Sequence, residues 1–430
     1  MASLTTHHAD IAIIGAGLCG MAAASFAVAR GLKTALVGWT RGEMIFASGL
    51  LDLLGVYPVE QGSRLDDPWS GIESLIRERP DHPYGRVGSE DIRSGFQEFL
   101  RFLSEAGLFY TGRPDGGNVA LATVAGTLKL TWQVPETMWP AVRGLQENRR
   151  TLLVDFEGMK EFSGVGIVEV LKKRWPELRA ERMTFPYPFF GKDRHTPMMA
   201  EAMESQQVRS DLAEIIRRRA AGFELIGFPA ILGMRRPRIV ASHLEEMIGL
   251  PVFEIPTLPP SVPGQRLLSG IDRALEQKGV QLLLNRRVSR VEHQGARCLR
   301  LLIGDEKSEE VVEADGFVLA TGRFIGGGLT AASSGVSEAL LGLPVAQPEK
   351  REEWHREHFL DSRGHPLNRS GLTVDGHFRP VKEDGRTVYE NLFAAGSVLA
   401  HQDWVREKSG GGIAIATAYS AVQSFIRCCR

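Results

Sequence analysis

The hydrophobic and polar positions of this chain change period several times, and each change marks an element. Asp10-Ile11-Ala12-Ile13-Ile14 is a short apolar run suited to a strand buried on both faces. It breaks at Gly15-Ala16-Gly17-Leu18-Cys19-Gly20, resumes as a helix from Met21 to Arg30 that stops at Gly31, and becomes a second strand over Lys33 to Val37. Taken alone, the uncharged run from Ile11 to Ala29 approaches the length of a membrane span, but its glycines divide it into strand, tight turn and helix. At Ala47 to Gly55 small polar residues lead an apolar run, which predicts a helix capped by Ser48; its start, with Gly49, lies against a ligand or is an ordinary capped end.

From Asp81 to Pro256 the units shorten. Helices are predicted over Ile92 to Ala106, Val165 to Arg174 and Met199 to Ala220, with a strand over Thr151 to Phe156 and an apolar run from Leu225 to Leu232. The proline-rich segment Ile255 to Gly264 is read as a stiff return path. A helix over Arg266 to Lys278 and strands over Val280 to Leu284 and Val288 to Glu292 follow it. Gly316 to Leu319 then ends in the turn Ala320-Thr321-Gly322, Asn391 to Ala395 ends in Gly396-Ser397, and Ser409-Gly410-Gly411-Gly412 opens a helix over Ile413 to Ile426. Internal repeats and low-complexity tracts are not evident. The expected fold class is α/β, a Rossmann-like FAD/NAD(P)-binding flavoprotein fold with an inserted second α/β domain: residues 1–80 and 257–430 form the flavin-binding domain, and 81–256 the insertion.

The first glycine turn carries chemistry because of its context. Strand, glycine turn, helix and strand within about thirty residues turn a weak G-x-G-x-x-G match into a strong one. Gly15 allows the sharp turn, Gly17 lets backbone approach a phosphate, and Gly20 lets helix and strand pack closely, while the helix start offers unpaired N–H groups to an anion. With Gly322, and with Gly396 and Gly410 to Gly412, it makes three such sites in the order found in two-domain flavoproteins. The last would bring a helix start towards the isoalloxazine, where negative charge develops on reduction. Two departures stand out. The position after Val37, where an acid grips the adenosine ribose, is Gly38, with Glu43 the nearest carboxylate, and the acid that follows the last strand's glycine is replaced by Ser397. Either the ribose is held otherwise or the ligand lacks an adenosine, which favours FMN and leaves FAD as the alternative.

Charge and cysteine content narrow the partners. With 51 Lys and Arg against 52 Asp and Glu, no global field draws nucleic acid or an anionic membrane, and with 43% hydrophobic residues the chain can bury a sizeable core. The four cysteines, Cys19, Cys298, Cys428 and Cys429, form no C-x-x-C pair, and with no secretory signal before Asp10 a cytoplasmic setting without disulfides is expected. An iron–sulfur cluster takes four thiolates brought together, so clusters, if needed, belong to a partner.

Several strings resemble one family, the B subunit of anaerobic glycerol-3-phosphate dehydrogenase, over almost the full length. They are Ser48-Gly49-Leu50-Leu51-Asp52-Leu53-Leu54, His82-Pro83-Tyr84, Gly126-Thr127-Leu128-Lys129 with Thr131-Trp132, and Pro256 to Val262 with Gly264, Arg266 and Leu267. Ala320-Thr321-Gly322 with Gly326 to Leu329, and Glu390 to Phe393 with Gly396 to Leu399, continue the match. The resemblance implies a respiratory enzyme of three subunits that oxidises sn-glycerol 3-phosphate to dihydroxyacetone phosphate and sends electrons to quinone. It implies FMN on this subunit, FAD on a second dehydrogenase subunit and clusters on an iron–sulfur subunit, with inner-membrane contact only through those partners. A stand-alone flavin dehydrogenase or reductase of another small hydroxy acid, and a scaffold subunit without a working flavin, are the competing readings. Lys129 and Arg266 are candidates for the substrate phosphate, against ordinary solvated cations. His82 is read as a base or as a turn residue bonding its own loop, and His401 and Asp403 share that ambiguity. Ile413 to Ile426 and Trp404 to Lys408 are placed near an electron outlet because they flank the last glycine site. Cys428 and Cys429 are read as frayed thiols.

Overall fold

Why Ile11 to Ile14 and Phe317 to Leu319 carry almost only apolar residues is evident once they pair: both lie inside one sheet with neighbours on each side. A computed structural model describes residues 5–187, 193–304 and 310–430. It divides into two compact units, one of Met1–Glu43, Asp52–Ala106 and Ile271–Arg430, the other of Met44–Leu51 and Gly107–Gly270.

The first unit is built on β1 (Thr5–Ile14), α1 (Leu18–Ala29), β2 (Thr34–Gly38) and α2 (Ser89–Glu105), continued by β3 (Gln281–Leu284), β4 (Val288–Gln294), β5 (Arg297–Ile303), β6 (Glu310–Leu319), β7 (Leu392–Ala394) and α3 (Gly410–Cys429). Its seven-stranded sheet runs β3-β2-β1-β6-β5-β4, with β7 also on β6. The strands β3, β2, β1, β6 and β7 are parallel, whereas β4 and β5 form an antiparallel pair against the first half of β6. Such an order reverses between β1 and β6, the kind of switch point at which open α/β sheets bind ligands. The predicted Rossmann-like sheet is therefore present. The membrane-length run Ile11 to Ala29 is strand, turn and a helix of 12 residues, and among the described residues no helix is long and apolar enough to cross a membrane.

Helices α1, α2 and α3 pack on one another. The Phe26 ring meets Phe99 at 6.2 Å and Tyr419 edge-on at 5.3 Å, and Arg30 pairs with Glu98 at 2.6 Å. A Cβ on Gly95 would stand 3.0 Å from the Tyr419 side chain, so α2 lies flush against α3. This packing holds α2 in the first unit, and the insertion begins after Ala106 rather than at residue 81. At its other end it runs to Gly270, beyond the expected 256, because Ser261 donates to the Ala47 carbonyl and Gly264 sits against the Met44 and Ala47 carbonyls. Residues 44–51 accordingly belong with the second unit.

That second unit centres on a four-stranded parallel sheet of Val252–Ile255, Leu225–Pro229, Thr151–Phe156 and Leu178–Met183, in that order. Thr151–Phe156 is buried along its whole length, as a central strand covered on both faces must be. A hairpin of Val119–Ala122 and Leu128–Thr131 adds to the same apolar cluster. The helix predicted over Met199 to Ala220 is two helices, Thr196–Ala202 and Gln206–Arg217, broken where Ser205 precedes the second. No helix starts at Ser48. Gly49 has φ +78 and the next residue but one, Leu51, pairs its backbone with Gln133 at 3.0 and 3.1 Å, so the apolar run there is extended chain fixed by a bridge.

Candidate functional site

Parallel pairing places three of the glycine turns on one sheet edge. Ile14, Leu319 and Ala394 share a register row, and Ile14 is level with Val37 on its other side. The turns that follow them leave the sheet together, and they touch. A Cβ on Gly15, whose φ is +115, would stand 2.3 Å from the Ala320 carbonyl oxygen; one on Gly396, with φ +80, would stand 2.8 Å from the Cys19 Cβ. Gly322 faces the Ser397 hydroxyl at 3.6 Å on the same measure. Gly20 is closed by the Gly15 carbonyl.

Gly17 differs from its neighbours. It has φ −80 and ψ −175, extended backbone open to any residue, and a Cβ built on it meets nothing within 4 Å. The space above the start of α1 is thus free of protein at the one glycine assigned to a phosphate. Two further observations suit an anionic, hydroxylated ligand. The Thr321 Oγ1 is buried without a hydrogen-bond partner, and so are Nε and Nη1 of Arg41. Leaving such a group unmet costs about 1–3 kcal/mol, more for an ion, so each of them calls for an occupant. The residues present fit a phosphate-bearing flavin.

The absent ribose acid has a steric cause. A Cβ on Gly38 would stand 2.3 Å from the Ala16 Cβ, so no carboxylate can be mounted there unless the turn moves. Glu43 is half-buried; burial pushes its carboxyl up and Arg323 pulls it down.

The third turn is held from behind by Arg323. Its guanidinium donates to the carbonyls of Ser397 at 2.8 Å and Gln402 at 2.8 Å, and to that of Asn368. Burial lowers it to about 10, and Asp403, Glu407 and Glu43 oppose that fall, so it stays a cation at neutral pH. Sequence reasoning missed it, although it directly follows the Ala320-Thr321-Gly322 turn.

At the start of α3, Gly412 donates its N–H to the Asp52 carbonyl at 2.7 Å, and a Cβ there would stand 1.8 Å from the Tyr84 hydroxyl. Gly410 and Gly411, both half-buried, donate to no backbone carbonyl among the described residues and could face a ligand. Beneath them lies a buried network. Tyr84 donates to the Leu53 carbonyl at 2.6 Å, Ser409 to Glu407 at 3.0 Å, and the Asp403 N–H to Glu407 at 3.1 Å. His82 Nδ1 accepts the Tyr84 N–H at 3.1 Å, which leaves the ring hydrogen on Nε2, 3.3 Å from the fully buried Glu407 carboxylate. His82 is therefore a cap for its own turn and a Glu407 partner, with neither nitrogen left for a substrate proton. His401 bonds Asp81 at 3.1 Å, and Asp403 caps the short helix Trp404–Glu407. Cys19 and Cys298 are buried thiols that burial pushes up to about 12.

The remaining candidates lie in the second unit. Gly49 packs against Pro263, where a Cβ would come within 2.7 Å, and its carbonyl accepts the Tyr110 hydroxyl at 2.7 Å, so a packing role accounts for it; Ser48 is half-buried beside it. Lys129 is half-buried on the strand Leu128–Thr131, opposite Leu121. Arg266 is not a solvent-facing cation awaiting a phosphate: it is buried, donates to the Gly233 carbonyl at 2.7 Å, and forms a forked pair with Glu254, which also accepts from Thr137 at 2.6 Å. Breaking such a buried pair costs about 3–5 kcal/mol. The helix α3, placed near an electron outlet, is buried on nearly all sides from Gly412 to Phe425.

The profile of the FAD binding domain family matches residues 10–413. The B subunit of the anaerobic glycerol-3-phosphate dehydrogenase of Vibrio cholerae is 31% identical over 428 residues, 97% of each chain. The chain belongs to that B-subunit family. A probable B subunit of the same enzyme from Halobacterium salinarum is 31% identical over 426 residues and 96% of each chain, so the likeness again runs at full length. Among solved structures, 3-ketosteroid Δ1-dehydrogenase from Sterolibacterium denitrificans covers 98% of this chain and 99% of its own at 12% identity and a TM-score of 0.44, too distant to carry more. As a member of the FAD binding domain family, this B-subunit homologue is a flavoprotein of the oxidoreductase class.

Glu407 gives this region a pH signature. Burial pushes its carboxyl up, but His82, the Asp403 N–H and Arg79 outweigh burial and hold it down to about 2, against an ordinary 4.5. A carboxylate with a lowered folded value stabilises the protein above its unfolded value, and that contribution is lost as pH falls from about 4.5 to about 2, roughly 3 kcal/mol in all. Urea denaturation followed by tryptophan fluorescence through this range should show Glu407→Gln less stable at pH 7 and with a shallower acid slope. An unchanged slope would mean that the network does not control acid stability.

Proposed function

We propose that this chain is the flavin-bearing subunit of a respiratory dehydrogenase that oxidises sn-glycerol 3-phosphate to dihydroxyacetone phosphate. Electrons would pass to quinone through a FAD-containing subunit and an iron–sulfur subunit, and inner-membrane contact on the cytoplasmic side would come through those partners. The observation that carries the reading is the full-length likeness to the B subunit of anaerobic glycerol-3-phosphate dehydrogenase. We favour FMN because Gly38 cannot mount a ribose-gripping acid, whereas the family's FAD binding domain description favours FAD.

A bound flavin supplies a hydride acceptor that can release its electrons singly. The chain's own residues bind and orient it. The Gly15 to Gly20 turn and the start of α1 take the phosphate through backbone N–H groups, at the opening that Gly17 leaves. Gly322 lets backbone pass beside the ribityl chain, and Ser397 offers it one hydrogen bond in place of the usual carboxylate. Gly410 and Gly411, at the start of α3, would offer helix-end positive charge to a bound flavin, and charge placed at its pyrimidine side would favour the reduced state. Gly396 lets this turn seat on Cys19. Lys129 remains the candidate for the substrate phosphate, whereas Arg266 is excluded because its guanidinium is spent on Glu254. The catalytic base is assigned to no residue of this chain, which leaves room for substrate chemistry on the FAD-containing partner.

Because a Cβ on Gly17 would meet no protein atom within 4 Å, Gly17→Val should fold with the melting temperature of the wild-type apoprotein yet purify colourless. Stoichiometric flavin absorption in that variant would show the turn to be structural only. The chromophore released by denaturation should chromatograph as FMN; FAD alone would overturn the inference from the missing acid.

The isolated chain should be a poor glycerol-3-phosphate:quinone reductase, and activity should rise at least about tenfold when the FAD-containing and iron–sulfur partners are added. If the lone chain turns over as fast as the mixture, the subunit reading fails and a stand-alone flavin dehydrogenase replaces it.

A further inference from the structure

Arg41 lies three residues beyond β2, on the rim where the ribose acid is missing. Its side chain is mostly enclosed, with 17% exposure. Nη2 is already engaged: it donates to Asp272 and lies 3.4 Å from the Met21 sulfur, in the first turn of α1. Nε and Nη1 are buried with no hydrogen-bond partner among the described residues. The next residue, Gly42, points its Cβ position at the Gly17 Cα, 3.7 Å away, so this segment borders the same opening that the phosphate turn leaves. A guanidinium has five N–H donors and no acceptor, and it does not lose its proton, so two enclosed and unmet donor nitrogens on a fixed cation call for an anion.

We propose that Arg41, held in place by Asp272, grips the terminal phosphate of the flavin and thereby selects FMN over FAD. The proposal rests on the flavin-subunit reading and deepens it. Two features work in one direction. Gly38, closed off by Ala16, offers no acid to an adenosine ribose, and Arg41 puts a cation on that rim. A phosphate monoester such as that of FMN carries close to two charges on one phosphorus at neutral pH, whereas each phosphorus of the FAD pyrophosphate carries one. A charge-assisted contact therefore gains most from FMN. Asp272 acts as a positioning residue: it takes Nη2 and leaves the other two nitrogens to the ligand.

The test is equilibrium binding to the full-length apoprotein, read by quenching of flavin fluorescence, with FMN, FAD and riboflavin as probes. Wild type should bind FMN more tightly than either of the others. Arg41→Gln should weaken FMN about ten- to a hundredfold and leave riboflavin within about twofold, because riboflavin has no phosphate. Arg41→Lys, which keeps the charge with fewer donors, should fall between them, and it carries the test if the glutamine variant does not fold. Equal losses for FMN and riboflavin, an unchanged FMN affinity, or a wild-type preference for FAD that the variants leave intact would each overturn the assignment of Arg41. Wild type that binds none of the three flavins would instead overturn the flavin reading itself.

Discussion

Much of the first unit follows from the shared register of three parallel strands. Side chains alternate along a strand, so a slip of one residue would exchange the side chains packed on the two buried faces; Ile14, Leu319 and Ala394 are held level because each neighbours an apolar partner in the row. Once level, their turns must leave the sheet at one place. The close approaches of Gly15 to Ala320 and of Gly396 to Cys19 are what remains when three loops share that space without side chains. The helix starts of α1 and α3 belong to the same arrangement, since each follows one of these turns in the chain. The candidate cradle is therefore a property of backbone and register, and what it offers a ligand is mostly N–H groups and helix ends.

That is why so much of it was legible in the sequence. Backbone sites announce themselves through glycines and apolar runs, and β1, α1, β2 and the start of α3 lie within a few residues of where the pattern puts them. Strand β5 escaped notice because Arg297 and Arg300 interrupt its apolar residues; it is fixed by the buried Asn391, whose side chain bonds both the N–H and the carbonyl of Cys298. No local pattern could reveal a partner 93 residues away. The run after Ser48 misled for a related reason. Its leucines have helical company in sequence, but Gln133 supplies a backbone bridge that a helix could not use.

Side-chain sites were harder to read, and the errors have a common form. Arg266 and His82 stand in unusual strings, which suggested chemistry, yet both are consumed by buried carboxylates, Glu254 and Glu407. A sequence shows that a polar side chain is present but not whether its hydrogen bonds are already taken. Arg41 and Arg323 show the converse: neither was singled out in the sequence, and only their surroundings draw notice to them. Arg323 is a brace that satisfies carbonyls of the third turn, while Arg41 keeps two donors in reserve. The division into two units was similarly hidden, since α2 reads like any amphipathic helix and only its fit to Tyr419 assigns it to the first.

The contact between Gly396 and Cys19 makes the cradle self-reporting. The Cys19 thiol lies under the third turn, in contact with Thr417, and burial keeps it protonated far above neutrality, so an alkylating reagent finds no thiolate while the turn is seated. Cys428, by contrast, is exposed to solvent. Alkylation of Cys19 would therefore require the third turn to lift, and its rate would report local opening at the candidate site.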